Sequence, residues 1–111
     1  FNSLHLMFET QYNELWASLD LIAERIRALG AYAPSFQALA AKSSLKADNG
    51  VPNANAMIAN LLEGNETVVR AARSALEAAE EAGDQASADL MTERVAAGEK
   101  AAWMLRAQAV G

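Results

Sequence analysis

The stretch FNSLHLMFETQYNELWASLDLIAERIRALG, residues 1–30, decides how this chain is read. Leu4, Phe8, Leu15, Leu19, Ile22, Ile26 and Leu29 recur at spacings of three, four and seven, the period of an amphipathic helix. The pattern predicts a helix from Asn2 to Leu29, and Gly30 stands where a glycine commonly ends one. That helix carries the single histidine of the chain, His5, four residues before Glu9. A second pair, Asp20 and Glu24, has the same spacing. Residues four apart share a helix face, so one helix presents two pairs of potential metal ligands.

Outward from this helix, Ala31 to Pro52 reads as a connection, marked by Pro34, Ser43, Ser44, Asp48, Asn49, Gly50 and Pro52. A short helix over Ser35 to Ala41 fits inside it. The connection is too long for a tight helical hairpin and suits a crossover, which lets helices lie parallel or reaches across a bundle. A second long helix is expected from Asn53, its N-cap, to Ala82, with a stripe of Met57, Leu61, Val68, Ala72, Leu76 and Ala79. Gly83 closes it. Asp84 caps a third long helix that runs to Gln108, with a seam of Ala88, Met91, Val95, Gly98, Ala102 and Leu105. The small residues of that seam allow close packing. Gly64 and Gly98 sit mid-helix, each at a cost of about 1 kcal/mol relative to alanine; close approach of a neighbouring backbone is one reason to keep them.

Composition narrows the function. The 111 residues are 52% hydrophobic with two prolines, which suits one all-α globular domain, residues 1–111, with a single core. Nine basic residues stand against fourteen acidic ones, for a net charge of −5, and the basic ones are scattered. They form no phosphate-binding stripe. The absence of cysteine excludes disulfide, zinc-finger and thiol chemistry. No apolar run approaches the roughly 20 residues of a membrane span and no signal peptide is visible, so the cytoplasm is the expected compartment. The chain opens on Phe1, almost directly in helical pattern, as a processed or truncated product would.

His5 and Asp20 are fifteen residues apart, roughly 22 Å along a helix axis at 1.5 Å per residue. One metal ion cannot reach both on the same helix. Two copies packed antiparallel about a two-fold axis would bring His5 and Glu9 of one to Asp20 and Glu24 of the other, creating two identical sites per dimer. Each site would offer one imidazole and three carboxylates, a hard donor set suited to iron(II) or manganese rather than structural zinc or copper. Tyr12 and Trp16 lie on the same stripe, where they could pack across the axis and dry the site. The spacing alone also allows a plainer reading: a His5–Glu9 surface pair worth a few tenths of a kcal/mol, a solvated Asp20–Glu24 face, and two ordinary packing aromatics.

Motifs along the whole chain resemble the Dps family of miniferritins. They are Phe1-x2-Leu4-His5-x2-Phe8-Glu9-x2-Tyr12 and Asp20-x2-Ala23-Glu24-Arg25-Ile26-x2-Leu29-Gly30, followed by Glu66-Thr67-Val68-Val69-Arg70, Ala88-Asp89-Leu90-Met91 and Lys100-x2-Trp103-Met104-Leu105-Arg106. The resemblance implies a ferritin-like four-helix bundle, of which this chain shows three long helices and a short crossover helix. It implies a homo-oligomeric shell of twelve subunits with metal sites at two-fold interfaces. The implied activity is ferroxidase: iron(II) is oxidised by peroxide or O2 and ferric mineral is stored inside the shell, protecting against oxidative damage. His5, Glu9, Asp20 and Glu24 are then the ligands; many members carry aspartate where this chain has Glu9. The family's first helix, and a histidine at its end that completes the site, would precede Phe1. So would the basic tail by which many members bind DNA, which leaves DNA as a partner only through such a tail.

Asp84, Asp89 and Glu93 cluster at the start of the third long helix, where the family gathers acidic residues at three-fold pores. Carboxylate rings concentrate cations; the plainer roles are an N-cap for Asp84 and favourable helix-dipole placement for Asp89. Two rival functions stand beside iron oxidation: a nucleoid-compacting DNA-binding protein, and a helical interaction module without metal.

Overall fold

The computed structural model describes residues 2–45 and 50–109, which form four helices and no strand. They are α1 (Asn2–Ala28), α2 (Phe36–Lys42), α3 (Ala54–Glu81) and α4 (Gln85–Ala109). Phe1, Asp48 and Asn49, used in the motifs and turn above, lie outside the described residues. None of the described helices is long and apolar enough to cross a membrane. The chain divides into two compact units, Phe1–Ser43 and Ser44–Gly111.

Cap chemistry sets the helix ends. α1 stops at Ala28, one residue short of expectation, because Gly30 takes φ 96°. There its amide donates to the Arg27 carbonyl and the Ala31 amide to that of Ile26. This paired closure satisfies carbonyls that the helix end would leave orphaned. Arg27 reinforces the turn: its Nη1 donates to the Ala31 carbonyl at 3.1 Å, and its guanidinium lies 4.1 Å from the centroid of the Tyr32 ring. α3 ends the same way, with Gly83 at φ 68°. Its amide donates to the Glu80 carbonyl, and the Asp84 amide to that of Ala79. The short helix α2 sits one residue later than expected, since Ser35 is its cap and accepts from the Ala38 amide at 3.2 Å. Asn53 caps α3 through Oδ1, accepting from the Ala56 amide at 2.9 Å.

The second unit is built on an antiparallel α3–α4 hairpin whose seam repeats every seven residues. Ile58, Asn65, Ala72 and Ala79 are buried on α3; Ala88, Val95, Gly98, Ala102 and Leu105 are buried on α4. The expected α4 seam is observed, with Met91 half-buried within it. The α3 stripe is rotated from expectation. Ala72 and Ala79 are buried and Met57 and Leu76 half-buried, but Leu61 and Val68 remain 39% and 37% exposed. The apolar residues of α3 cover a wider arc than one partner helix can bury, and the innermost line passes through Asn65. Its amide can be buried because Nδ2 donates to the Leu61 carbonyl at 2.8 Å.

Small residues bring the two helices close. A Cβ built on Gly98 would stand 2.5 Å from Cγ2 of Val69, so α3 fills the space a side chain would need. Gly64 is different: its nearest neighbour is Leu45 Cδ1 at 3.8 Å, an ordinary contact. An ion pair between Arg73 and Glu99 also joins α3 to α4; both side chains are 55% exposed, and such pairs contribute about 0–1 kcal/mol.

In the first unit, α1 leaves much of its apolar surface open. Leu6, Tyr12, Leu15, Trp16, Leu19 and Leu21 are all exposed. Leu15, Leu19 and Leu29, expected on the core stripe, are 39%, 48% and 59% exposed, whereas Ser18 is buried. The Ser18 hydroxyl is satisfied locally, donating to the Leu15 carbonyl at 2.7 Å.

Candidate metal centre on helix α1

Every candidate ligand lies on α1, a 27-residue helix with no internal break. His5 Nε2 stands 3.6 Å from Glu9 Oε2, with both side chains more than half exposed. Asp20 and Glu24 are likewise exposed, one turn apart. Between the pairs come Tyr12 and Trp16, stacked with ring centroids 6.4 Å apart and planes inclined by 12°. The six residues His5, Glu9, Tyr12, Trp16, Asp20 and Glu24 follow at steps of four, three, four, four and four. Those steps trace one continuous ridge along the helix, and all six are exposed on it.

The ridge holds the candidate ligands two at a time. Among the described residues, no three histidine, aspartate or glutamate side chains come together as a metal-binding group. One copy of α1 therefore presents two separate pairs of candidate ligands. They are symmetrically placed: the midpoint between His5 and Glu24 coincides with that between Glu9 and Asp20, midway between Glu14 and Leu15.

Asp20 also borders an apolar groove of about 480 Å³ within the first unit. One wall is α1, through Trp16, Leu19, Ile22 and Ile26; the other is Pro34 and Leu39. This groove went unseen in the sequence because the connection's path is not readable from helical periodicity. Its signal was the pair Pro34 and Leu39, apolar residues in a segment otherwise rich in turn formers.

At the start of α4 the acidic residues have individual roles. Asp84 is the cap: its Oδ1 accepts from the Ser87 amide at 3.1 Å and its Oδ2 from the Ser87 hydroxyl. Asp89 accepts from Gln85 Nε2 at 2.7 Å, while Glu93 stands exposed one turn further along.

Residues 1–110 match the ferritin-like domain. The chain is 38% identical over 109 residues to an uncharacterized low temperature-induced protein of a Nostoc species, covering 96% of this chain and 61% of that protein. It is 32% identical over 108 residues to the DNA protection during starvation protein of Brevibacillus brevis, covering 96% and 72%. Among solved structures, Dps from Vibrio cholerae O1, described as a member of a broad superfamily of ferritin-like diiron-carboxylate proteins, superposes with a TM-score of 0.90. The two are 31% identical, over 97% of this chain and 69% of that one.

Proposed function

The chain belongs to the Dps family of ferritin-like proteins, and from that premise we propose that it oxidises Fe(II) at sites shared between two copies of α1. The observation that carries the reading is the symmetry of the ridge. In an antiparallel pair of α1 helices whose two-fold axis passes beside Glu14 and Leu15, His5 meets Glu24 of the second copy while Glu9 meets its Asp20. One register completes both half-sites at once, and closed two-fold symmetry makes the second site identical to the first. The exposed leucines and aromatics of α1 supply apolar surface for such an interface; contiguous patches of this kind commonly mark association surfaces.

Each completed site presents one imidazole and three carboxylates to Fe(II), the substrate. Hard anionic oxygen donors suit iron, and they favour the ferric over the ferrous ion, so ligation itself drives the oxidation. The neutral imidazole adds a donor without further charge. Two Fe(II) ions together supply the two electrons that reduce one peroxide to water, or one O2 to peroxide. Ferric product leaving the site mineralises inside a closed shell of twelve subunits; with peroxide as the oxidant, both reactants of hydroxyl-radical chemistry, Fe(II) and peroxide, are consumed. Residues 1–111 act in this reading as a single ferritin-like domain in the cytoplasm. Asp89 and Glu93 line the route by which cations enter, with Asp84 holding the helix that carries them.

Peroxide-driven Fe(II) oxidation followed by size fractionation tests the reading. Ferric iron eluting with a particle of about twelve subunits supports it. Ferric iron only in free form, or a protein with no effect on the uncatalysed rate, removes it.

A further inference from the structure

The turn that follows α1 carries a contact to which the oxidation chemistry gives no part. Tyr32 is 83% exposed, so its ring is not there to fill a core. Arg27 holds it instead: the guanidinium lies 4.1 Å from the ring centroid, and its Nη1 donates to the Ala31 carbonyl at 3.1 Å. One side chain from the last turn of α1 thus grips the outgoing chain at two consecutive residues. The chain beyond this clamp is short and stiff. Only Ala33 stands between Tyr32 and Pro34; proline fixes its own φ and restricts the residue before it to extended backbone. Pro34, with Leu39 of α2, is the wall of the apolar groove that faces Trp16, Leu19, Ile22 and Ile26. Asp20 borders the same groove, while it also stands on the exposed ridge as a candidate ligand. Clamp, wall and carboxylate form one connected series within the first unit.

We propose that Arg27 and Tyr32 are positioning residues for Asp20: their contact holds the wall of Pro34 and Leu39 against α1, and the wall sets how Asp20 meets a metal ion. The inference rests on the shared-site reading above. Two physical effects carry it. An apolar wall on one side of a carboxylate limits the directions in which it can point, so less freedom is lost when it takes a cation. The wall also removes water from that side, and charge attraction strengthens as the local dielectric constant falls. Arg27 and Tyr32 act only through the wall and supply no ligand. A cation–π contact at an exposed site is weak. Its loss changes the fraction of molecules with the wall in place, and the apparent metal affinity with it, by about two- to fivefold.

The test has two readouts, neither of which is the oxidation rate. The full chain is titrated with Co(II) in the absence of oxidant, and binding is followed by calorimetry. Trp16 reports on the groove that it lines: the chain has two tryptophans, so a Trp103→Phe background leaves one indole emission. Tyr32→Ala and Arg27→Ala should each weaken Co(II) binding about two- to fivefold and shift the Trp16 emission to the red, with helix content by circular dichroism unchanged. Because the two residues form one contact, the double variant should bind no more weakly than either single one. Tyr32→Phe keeps the ring and should match the native protein. Native Co(II) affinity in both alanine variants, or losses that add in the double variant, overturns the positioning role. A red-shifted Trp16 with native affinity overturns it as well, since the wall then moves without consequence for Asp20. Asp20→Asn separates the two readings. Unchanged Co(II) affinity in that variant overturns the shared site itself, whereas a loss there beside native binding in the clamp variants removes only this inference.

Discussion

Gly98 offers the sharpest test of how the α3–α4 hairpin is packed. In an open helix interior, glycine to alanine gains about 1 kcal/mol from propensity. At Gly98 the new Cβ would fall 2.5 Å from Val69 Cγ2. Valine is stiff in a helix, so relief requires an off-rotamer Val69, at about 0.5–1.5 kcal/mol, or separation of the helices. Overpacking of this kind costs about 1–3 kcal/mol, and subtracting the propensity gain leaves Gly98→Ala roughly 1 kcal/mol less stable than the native chain. For a domain of this size that lowers the thermal midpoint by about 4–8 °C. Gly64→Ala is the internal control. Its Cβ meets only Leu45 Cδ1 at 3.8 Å, so it should be stabilising by up to about 1 kcal/mol. Thermal unfolding followed by far-ultraviolet circular dichroism separates the two. The cycle closes with Val69→Ala, in whose background Gly98→Ala should change sign and become stabilising. Equal upward shifts for both glycine variants, or a Gly98 effect indifferent to Val69, would refute the close approach.

Two further outcomes concern the site and the cation route. Asp20→Asn and Glu24→Gln, which keep shape but remove charge, should each slow Fe(II) oxidation beyond the ~10–100-fold typical of losing an outer-shell partner; native rates in stopped-flow absorbance would discard those ligands. Asp84→Ala should lose about 1 kcal/mol of stability with its cap. Asp89→Asn with Glu93→Gln should instead leave unfolding nearly unchanged and slow iron uptake, and native uptake in that double variant would count against an acidic entry route.

Helix ends were legible in the sequence because each is written in local chemistry. Gly30 and Gly83 supply the positive φ of the two closures, and Asn53 supplies a side-chain oxygen to the amide three residues on; Ser35, read as the first residue of the short helix, is instead its cap. The α4 seam was legible for a similar reason, its small residues recurring at three and four with polar neighbours between. The α3 seam was not. Hydropathy passes over Asn65, and nothing in the pattern says that its amide finds the Leu61 carbonyl and can be buried. Ser18 was missed in the same way, its hydroxyl being satisfied by the Leu15 carbonyl. On α1, periodicity located a wide apolar arc without ranking its members, so Leu15 and Leu19 were placed in a core where they are not. That His5 with Glu9 and Asp20 with Glu24 share a face was visible from spacing, because a helix converts a step of four into a shared face. What spacing could not supply was the groove beside Asp20, which depends on the course of the connection after Gly30.

The most direct test of a site shared between copies is complementation. One variant carries His5→Ala and Glu9→Ala, the other Asp20→Ala and Glu24→Ala; alone, each has only half-sites and should be inactive. In a mixed pair, the intact His5 and Glu9 of one chain face the intact Asp20 and Glu24 of the other, regenerating one full site while the second is lost. Refolding the two together in equal amounts should therefore restore about a quarter of the native Fe(II) oxidation rate, since random two-fold pairing makes half the pairs mixed and one site in two complete. A co-refolded mixture as inactive as its parents would contradict sites built across the two-fold axis.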